Sequence, residues 1–217
     1  MQAFQHELSY RTAEVMEKIR SFPVTICGAG ALGANLTETL GRSGFKLLSL
    51  IDPATVEPHN LSTHPFVEQD IGAYKSRVVA NLLHQAVGVR IEPVGRQLDK
   101  ANVGKLLDGS RLVVDTFDNR ASQTLVGEWC KEAGIPCLQT RINGSSTRIC
   151  WSAEAIQAHP VETEKSEYPL ARNLVLLTVS VLAEVIIRYV AYGTRESYDI
   201  SLREMKIEPL TDTEVVT

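Results

Sequence analysis

The sequence predicts a single α/β domain over residues 1–217: a mostly parallel sheet with helices on both faces and an antiparallel C-terminal extension. Three observations support this. Short β-branched runs alternate with helical patterns from residue 23 to residue 140, which specifies a parallel sheet with helical crossovers. A glycine turn, Gly28-Ala29-Gly30-Ala31-Leu32-Gly33, leads from the first strand into the first crossover helix. Beyond residue 140 the alternation gives way to short strand-like runs and one long apolar helix. A chain of 217 residues with 44% hydrophobic content can bury a full core.

Residues 1–20 set Leu8, Val15, Met16 and Ile19 among charged residues, the pattern of one short amphipathic helix. The run 23–27 reads as a strand covered on both faces, 31–43 as a helix ending at Ser43-Gly44, and 46–51 as the second strand. From Asp52 to Gly72, Pro53, Pro58 and Pro65 exclude a long helix, leaving a loop over the carboxyl edge of the sheet, where α/β ligand sites lie. A helix at 75–87 and a strand at 89–94 follow, then a short helix at 102–107 and the strand 112–117. Helix 121–133 stops at Gly134 and strand 136–140 comes next. Residues 145–151 suit an antiparallel addition, 152–170 a polar crossover loop, 171–190 the apolar helix, and 197–207 a closing strand or hairpin. Residues 211–217 are expected to fray.

A net charge of −4 argues against general affinity for nucleic acid or membrane. Cys27, Cys130, Cys137 and Cys150 form no CxxC pair, so no zinc site is expected, and free thiols suit a reducing cytoplasm. The first residues carry no basic-plus-apolar leader. His59 and His64 stand in the ligand-side loop without a second ligand cluster. The run from Asn173 to Val190 approaches the length of a membrane span, but Glu184 and Arg188 interrupt it, so it reads as core or dimer interface.

The glycine turn supplies bare backbone to a phosphate. Gly28 permits the turn, Gly30 the approach of the anion and Gly33 the close packing of helix on sheet, and Asp52 at the end of the second strand is placed to accept ribose hydroxyls. This pattern alone suits NAD as well as ATP. Asn60, Lys75 and Asp118 favour ATP: a triphosphate needs a donor amide and a cation, and a carboxylate after a sheet strand can hold magnesium against phosphate oxygens. Each residue also has a plainer reading. Lys75 can be a solvated lysine at a helix start, Asp118-Asn119 a helix cap, Arg11 a surface residue and Cys137 a small hydrophobe.

Taken together, Gly28-Ala29-Gly30-Ala31-Leu32-Gly33, Ile51-Asp52, Val56-Glu57 with Asn60-Leu61, Asp70-Ile71-Gly72 with Lys75, and Val113-Val114-Asp115 with Asp118-Asn119 resemble the ThiF/MoeB superfamily, bacterial relatives of ubiquitin-activating enzymes. The resemblance extends through Gly134-Ile135-Pro136 to nearly the whole chain and implies a Rossmann-like fold. It also implies ATP and Mg2+ as cofactors, and adenylation of the C-terminal carboxylate of a ubiquitin-like or sulfur-carrier protein, with possible onward transfer to a thiol. Carried over, Gly28, Ala29, Gly30, Leu32, Gly33, Asp52, Asn60 and Lys75 bind the nucleotide, and Asp118 holds the magnesium or the reacting phosphate. Such proteins often dimerise, an N-terminal arginine reaching the partner's ATP; Arg11 is the candidate.

The departures are specific. Thr63 stands where relatives carry an arginine, Ala54 replaces a second acid after the ribose-binding Asp52, and Gln123 lies near the place of another arginine. His64, Arg77 and Arg120 remain as phosphate-binding candidates. Where thioester-forming relatives place a cysteine, the loop between Trp151 and Arg172 has Ser166, a poorer nucleophile than a thiolate. The alternatives to an adenylating enzyme are a non-catalytic scaffold that binds a ubiquitin-like protein and, third, an NAD-dependent oxidoreductase.

Overall fold

A computed structural model of the chain describes residues 2–151 and 170–210. Among these, one mixed sheet of eight strands runs in the order β3-β2-β1-β4-β5-β6-β7-β8. The strands are β1 (Val24–Cys27), β2 (Leu48–Ile51), β3 (Glu92–Val94), β4 (Leu112–Asp115), β5 (Cys137–Asn143), β6 (Ser146–Cys150), β7 (Tyr198–Ser201) and β8 (Lys206–Pro209). The helices are α1 (Gln5–Arg11), α2 (Ala13–Arg20), α3 (Ala31–Arg42), α4 (Lys75–Val87), α5 (Val103–Leu107), α6 (Arg120–Ala133) and α7 (Arg172–Tyr192). Strands β1 to β5 pair in parallel, and β5 to β8 pair antiparallel, as the change of pattern after residue 140 predicts.

The two central strands, β1 and β4, are buried at every residue. Parallel strands covered on both sides have no solvent face, hence their unbroken apolar runs. One core joins Leu36 of α3, Leu83 of α4 and Leu182 of α7 to Ile26 of β1; on the other face, Val103 and Leu107 of α5 and Val126 of α6 pack with Val113. Helix α7 has a window of mean hydropathy 2.1, long and apolar enough to cross a membrane. Here it is a core element: Leu174, Thr178, Leu182 and Ile186, spaced at i,i+4, are fully buried, and the Thr178 hydroxyl donates to Thr147 Oγ1 at 3.0 Å.

Element boundaries differ from the sequence reading in ways that have physical causes. The N-terminal segment is two helices, because Thr12 adopts φ 83° and its hydroxyl accepts from the Val15 amide as the cap of α2. Leu8 is exposed whereas Val15, Met16 and Ile19 are buried, so the two halves share no apolar face. Strand β3 is shorter than the run 89–94 and contains Pro93, which an edge strand tolerates. Strand β4 stops at Asp115, whose Oδ1 accepts from the Phe117 amide at 3.0 Å and turns the chain. Strand β5 continues to Asn143, where Gly144-Ser145 forms a two-residue hairpin into β6.

Leu182→Ala should lower the unfolding free energy by about 3 kcal/mol through the cavity it leaves. Leu176→Ala, at a partly exposed position of the same helix, should cost less than about 1 kcal/mol. Urea midpoints at unchanged m values give both numbers.

Candidate functional site

The glycine turn leaves β1 at the point where the chain's strand order reverses, with β2 on one side and β4 on the other. That crevice at the carboxyl ends of the strands is where open α/β sheets receive ligands. Both neighbours hold the turn in place. From β2, the Asp52 Oδ2 accepts from the Ala29 amide at 2.6 Å while Oδ1 accepts from the Ala54 amide at 2.7 Å. From β4, the Thr116 hydroxyl lies 2.9 Å from the Cys27 carbonyl oxygen and 3.2 Å from that of Gly28.

The three glycines carry different loads. Gly28 has φ 99°, a conformation that side chains rarely adopt. A Cβ on Gly33 would sit 1.9 Å from the Gly28 carbonyl oxygen, so the close contact of α3 with the turn requires its absence. Gly30 has ordinary backbone angles, and a Cβ there would meet nothing within 4 Å. The missing Cβ of Gly30 therefore faces open space. Gly30 is also the N-cap of α3 and supplies no capping side chain, and the first turn of the helix carries no acid. An uncapped helix start with bare backbone in front of it suits a phosphate.

The loop after Asp52 closes on itself and delivers Lys75. An antiparallel bridge joins Thr55 to Tyr74, the Val56 amide donates to the Ala73 carbonyl at 2.8 Å, and the Lys75 amide donates to that of Ala54 at 3.0 Å. Lys75 begins α4, two residues from Asp52 across this bridge, and its ammonium makes no ion pair among the described residues. Asn60 is buried; its Oδ1 accepts from the Glu57 amide at 2.9 Å, which leaves its Nδ2 as a donor. Asp118 is exposed between β4 and α6, and the following Asn119 caps α6 by accepting from the Ser122 amide at 2.9 Å. The cap is thus Asn119, and the Asp118 carboxylate makes no hydrogen bond among the described residues.

Other sequence candidates are placed differently. The Ala29 amide is committed to Asp52, and the Leu32 side chain is in the core, so Leu32 can meet a ligand only through its backbone. Arg11 is tied within its own chain, to Glu7 at 2.8 Å and Glu184 at 2.9 Å. Arg77 lies over the Tyr74 ring, 5.4 Å from its centroid, and Arg120 starts α6. Thr63 is buried, with its carbonyl accepting from Asn35 Nδ2 at 2.9 Å. Ser166 lies outside the described residues. Burial pushes the Cys27 thiol up, and a hydrogen bond with Cys130 together with burial does the same to Cys137, so neither is an activated nucleophile.

Sequence reasoning missed Thr116 as a clamp on the turn and a buried network at the end of β4. Asp115 is fully buried; Gln139 Nε2 donates to its Oδ2 at 3.1 Å, and Gln139 Oε1 is buried without a partner among the described residues. On the other side of this end, Gln123 Nε2 donates to the Phe117 carbonyl at 2.7 Å while its Oε1 accepts from Arg141. Burial raises the Asp115 carboxyl to about 6, against the opposing hydrogen bonds from Gln139 and Phe117 and the charge of Arg141. A strand covered on both faces buries residue 115, but that does not decide which polar groups meet it.

A doubly wound sheet with a bare glycine turn at its switch point defines the class: an α/β protein of the Rossmann-like type. The chain belongs to the ThiF family, whose profile matches residues 4–174. It is 32% identical over 127 residues to the SAMP-activating enzyme E1 of Haloferax volcanii, covering 58% of this chain and 47% of that protein. It is 28% identical over 138 residues to the molybdopterin-synthase adenylyltransferase of Salmonella typhimurium, covering 63% of this chain and 54% of that one. The chain thus spans about half the length of these curated relatives. Its fold is shared with E. coli MccB crystallised with ATP, at a TM-score of 0.79 and 18% identity over 95% of this chain and 69% of that one. MccB with AMPCPP and MccA superposes at 0.82 and 17% identity, covering 95% and 68%.

Gly33→Ala should unfold or strongly destabilise the protein, whereas Gly30→Ala should keep the melting temperature within about 2 °C and weaken ATP binding about tenfold or more. Thermal melts and ATP titration distinguish the two roles. For Asp115, the folded state holds its proton more tightly than the unfolded chain, so its contribution to stability falls as pH rises from about 4 to about 6. Asp115→Asn should remove that dependence and stabilise the protein by up to about 2 kcal/mol at neutral pH, measured by denaturant melts across this range.

Proposed function

We propose that this chain uses ATP with Mg2+ to adenylate the C-terminal carboxylate of a ubiquitin-like or sulfur-carrier protein. The observation that carries this reading is the bare start of α3 at Gly30, where an added Cβ would meet nothing within 4 Å, with Lys75 tied by its backbone to the loop after Asp52 and Asp118 following β4. Family membership and the names of the curated relatives point the same way.

In this mechanism the first-turn amides of α3 receive phosphate oxygens. Asp52, whose two oxygens already accept backbone amides, retains lone pairs for the ribose hydroxyls. Lys75 and Asn60 Nδ2 offset the phosphate charge. Asp118 would hold Mg2+, a hard ion that takes one or two carboxylates together with phosphate oxygens and neutralises developing charge. A carboxylate oxygen of the carrier protein attacks the α-phosphorus in line, the bond to the β-phosphate oxygen breaks, and acyl adenylate and pyrophosphate result. This chemistry needs positioning and electrostatics, with no protein nucleophile. Onward acyl transfer would use another protein's cysteine as a thioester, or Ser166 as an ester, since the chain's own cysteines are buried or half-buried.

We further propose that the protein is cytoplasmic and works as a homodimer or heterodimer. For Arg11 to serve a partner's nucleotide it must exchange Glu7 and Glu184 for phosphate. A second reading, a scaffold that binds a ubiquitin-like protein without catalysis, is favoured by Thr63, whose buried backbone and hydroxyl are already engaged. Exchange of labelled pyrophosphate into ATP, dependent on the carrier protein, separates the two. Exchange that falls about a hundredfold or more in Asp118→Ala supports catalysis. Nucleotide binding with no exchange for any carrier that binds supports the scaffold, and tight NADH binding would instead favour an oxidoreductase.

A further inference from the structure

His64 sits where three elements converge. Its Nδ1 is 3.0 Å from the Asn60 carbonyl oxygen and 3.0 Å from Thr63 Oγ1, and the ring stacks on Phe66 with centroids 5.1 Å apart. With its proton on Nδ1, donated to that carbonyl, the ring presents a lone pair at Nε2. Nε2 is buried and has no partner among the described residues, in a residue only 7% exposed. Arg172, at the start of α7, donates from Nη1 to the His64 carbonyl at 3.3 Å.

The charges that face the ring are cationic or weakly so. Lys75 comes from α4, Arg172 from α7 and His59 from the 3-10 turn Pro58–Asn60, where it lies 3.5 Å from Glu57. From α3, the neutral Asn35 donates to the Thr63 carbonyl. Neither Lys75 nor Arg172 makes an ion pair among the described residues. A buried ring nitrogen with no partner among the described residues is a costly arrangement, and Lys75 and Arg172 add positive charge to its surroundings. Burial first, then Lys75, hold the His64 imidazolium down at about 4, so the ring is neutral at physiological pH. An incoming polyanion reverses the sign of that field.

We propose that His64, Lys75 and Arg172 form a proton-linked seat for the pyrophosphate end of the nucleotide, in which His64 Nε2 takes up a proton from solvent, keeps it, and through it donates a hydrogen bond to a phosphate oxygen. This deepens the nucleotide reading above and rests on it. Arg172, from the far end of the sequence, supplies here the guanidinium that position 63 lacks. When pyrophosphate departs, the anion that stabilised the protonated ring is gone and His64 returns its proton to solvent.

The test is calorimetric titration of Mg-ATP and, separately, of inorganic pyrophosphate into the full chain, in buffers of different ionisation heat. Wild type should take up protons on binding, and affinity for pyrophosphate should rise several-fold, about three- to tenfold, from about pH 8 to about pH 6. Relative to wild type, His64→Gln should lose that uptake and that slope, a difference that cancels the ligands' own titration. Arg172→Ala should weaken pyrophosphate binding about tenfold at every pH. As a readout in the unsubstituted protein, the nitrogen NMR shifts of the His64 ring should pass from one protonated nitrogen to two when pyrophosphate is added. Binding with proton uptake unchanged in His64→Gln, or a ring that stays neutral in the complex, overturns the proposal. If pyrophosphate binds with uptake but ATP does not bind, the seat stands and the nucleotide reading falls; if neither binds, both fall.

Discussion

The contact of α3 with the glycine turn governs the arrangement of everything else at this site. Residue 33 can have no side chain because the Gly28 carbonyl oxygen occupies the place a Cβ would take. With the helix that close, its start faces the crevice between β2 and β4, and both strands bind the turn directly, through Asp52 and Thr116. The turn is therefore rigid before any ligand arrives. Pre-ordering of this kind removes an entropic cost that binding would otherwise carry.

The same site holds polar groups that the protein alone does not satisfy. Among the described residues, His64 Nε2 and Gln139 Oε1 are buried without hydrogen-bond partners, and Asp115 keeps a buried carboxyl whose ionisation the surroundings resist. Each such group costs folding free energy. They lie in the loop after Asp52, at the carboxyl end of β4 and level with it on β5, whereas the opposing core faces are apolar. Concentration of unsatisfied polarity at one end of a sheet is the signature of a region shaped by ligands as well as by folding.

Helix α7 joins the two. Its buried face is continuous with α3, which carries the glycine turn, and its first residue reaches the His64 carbonyl. A segment far from the turn in sequence thereby contributes both to the packing beneath the site and to the charge at its mouth. The cation at Arg172 stands where Thr63, sealed by Asn35 and His64, has none to offer.

The local pattern of the chain determined most of its elements and the place of the glycine turn between β1 and α3. Apolar runs at strand length, helical spacing at 75–87, and glycines at 28, 30 and 33 are properties of neighbouring residues, and backbone sterics act over the same short range. Those signals also marked Asp52, Asn60, Lys75 and Asp118. Only the tertiary structure decided that Asp52 spends its oxygens on the turn, that Asn119 and not Asp118 caps α6, and that Arg11 is paired inside its own chain. It alone brought Thr116 onto the glycine turn and Arg172 beside His64. Hydrogen-bond partners and charge neighbours are set by which surfaces pack together, and residues 64 and 172 come together only when α7 docks on α3.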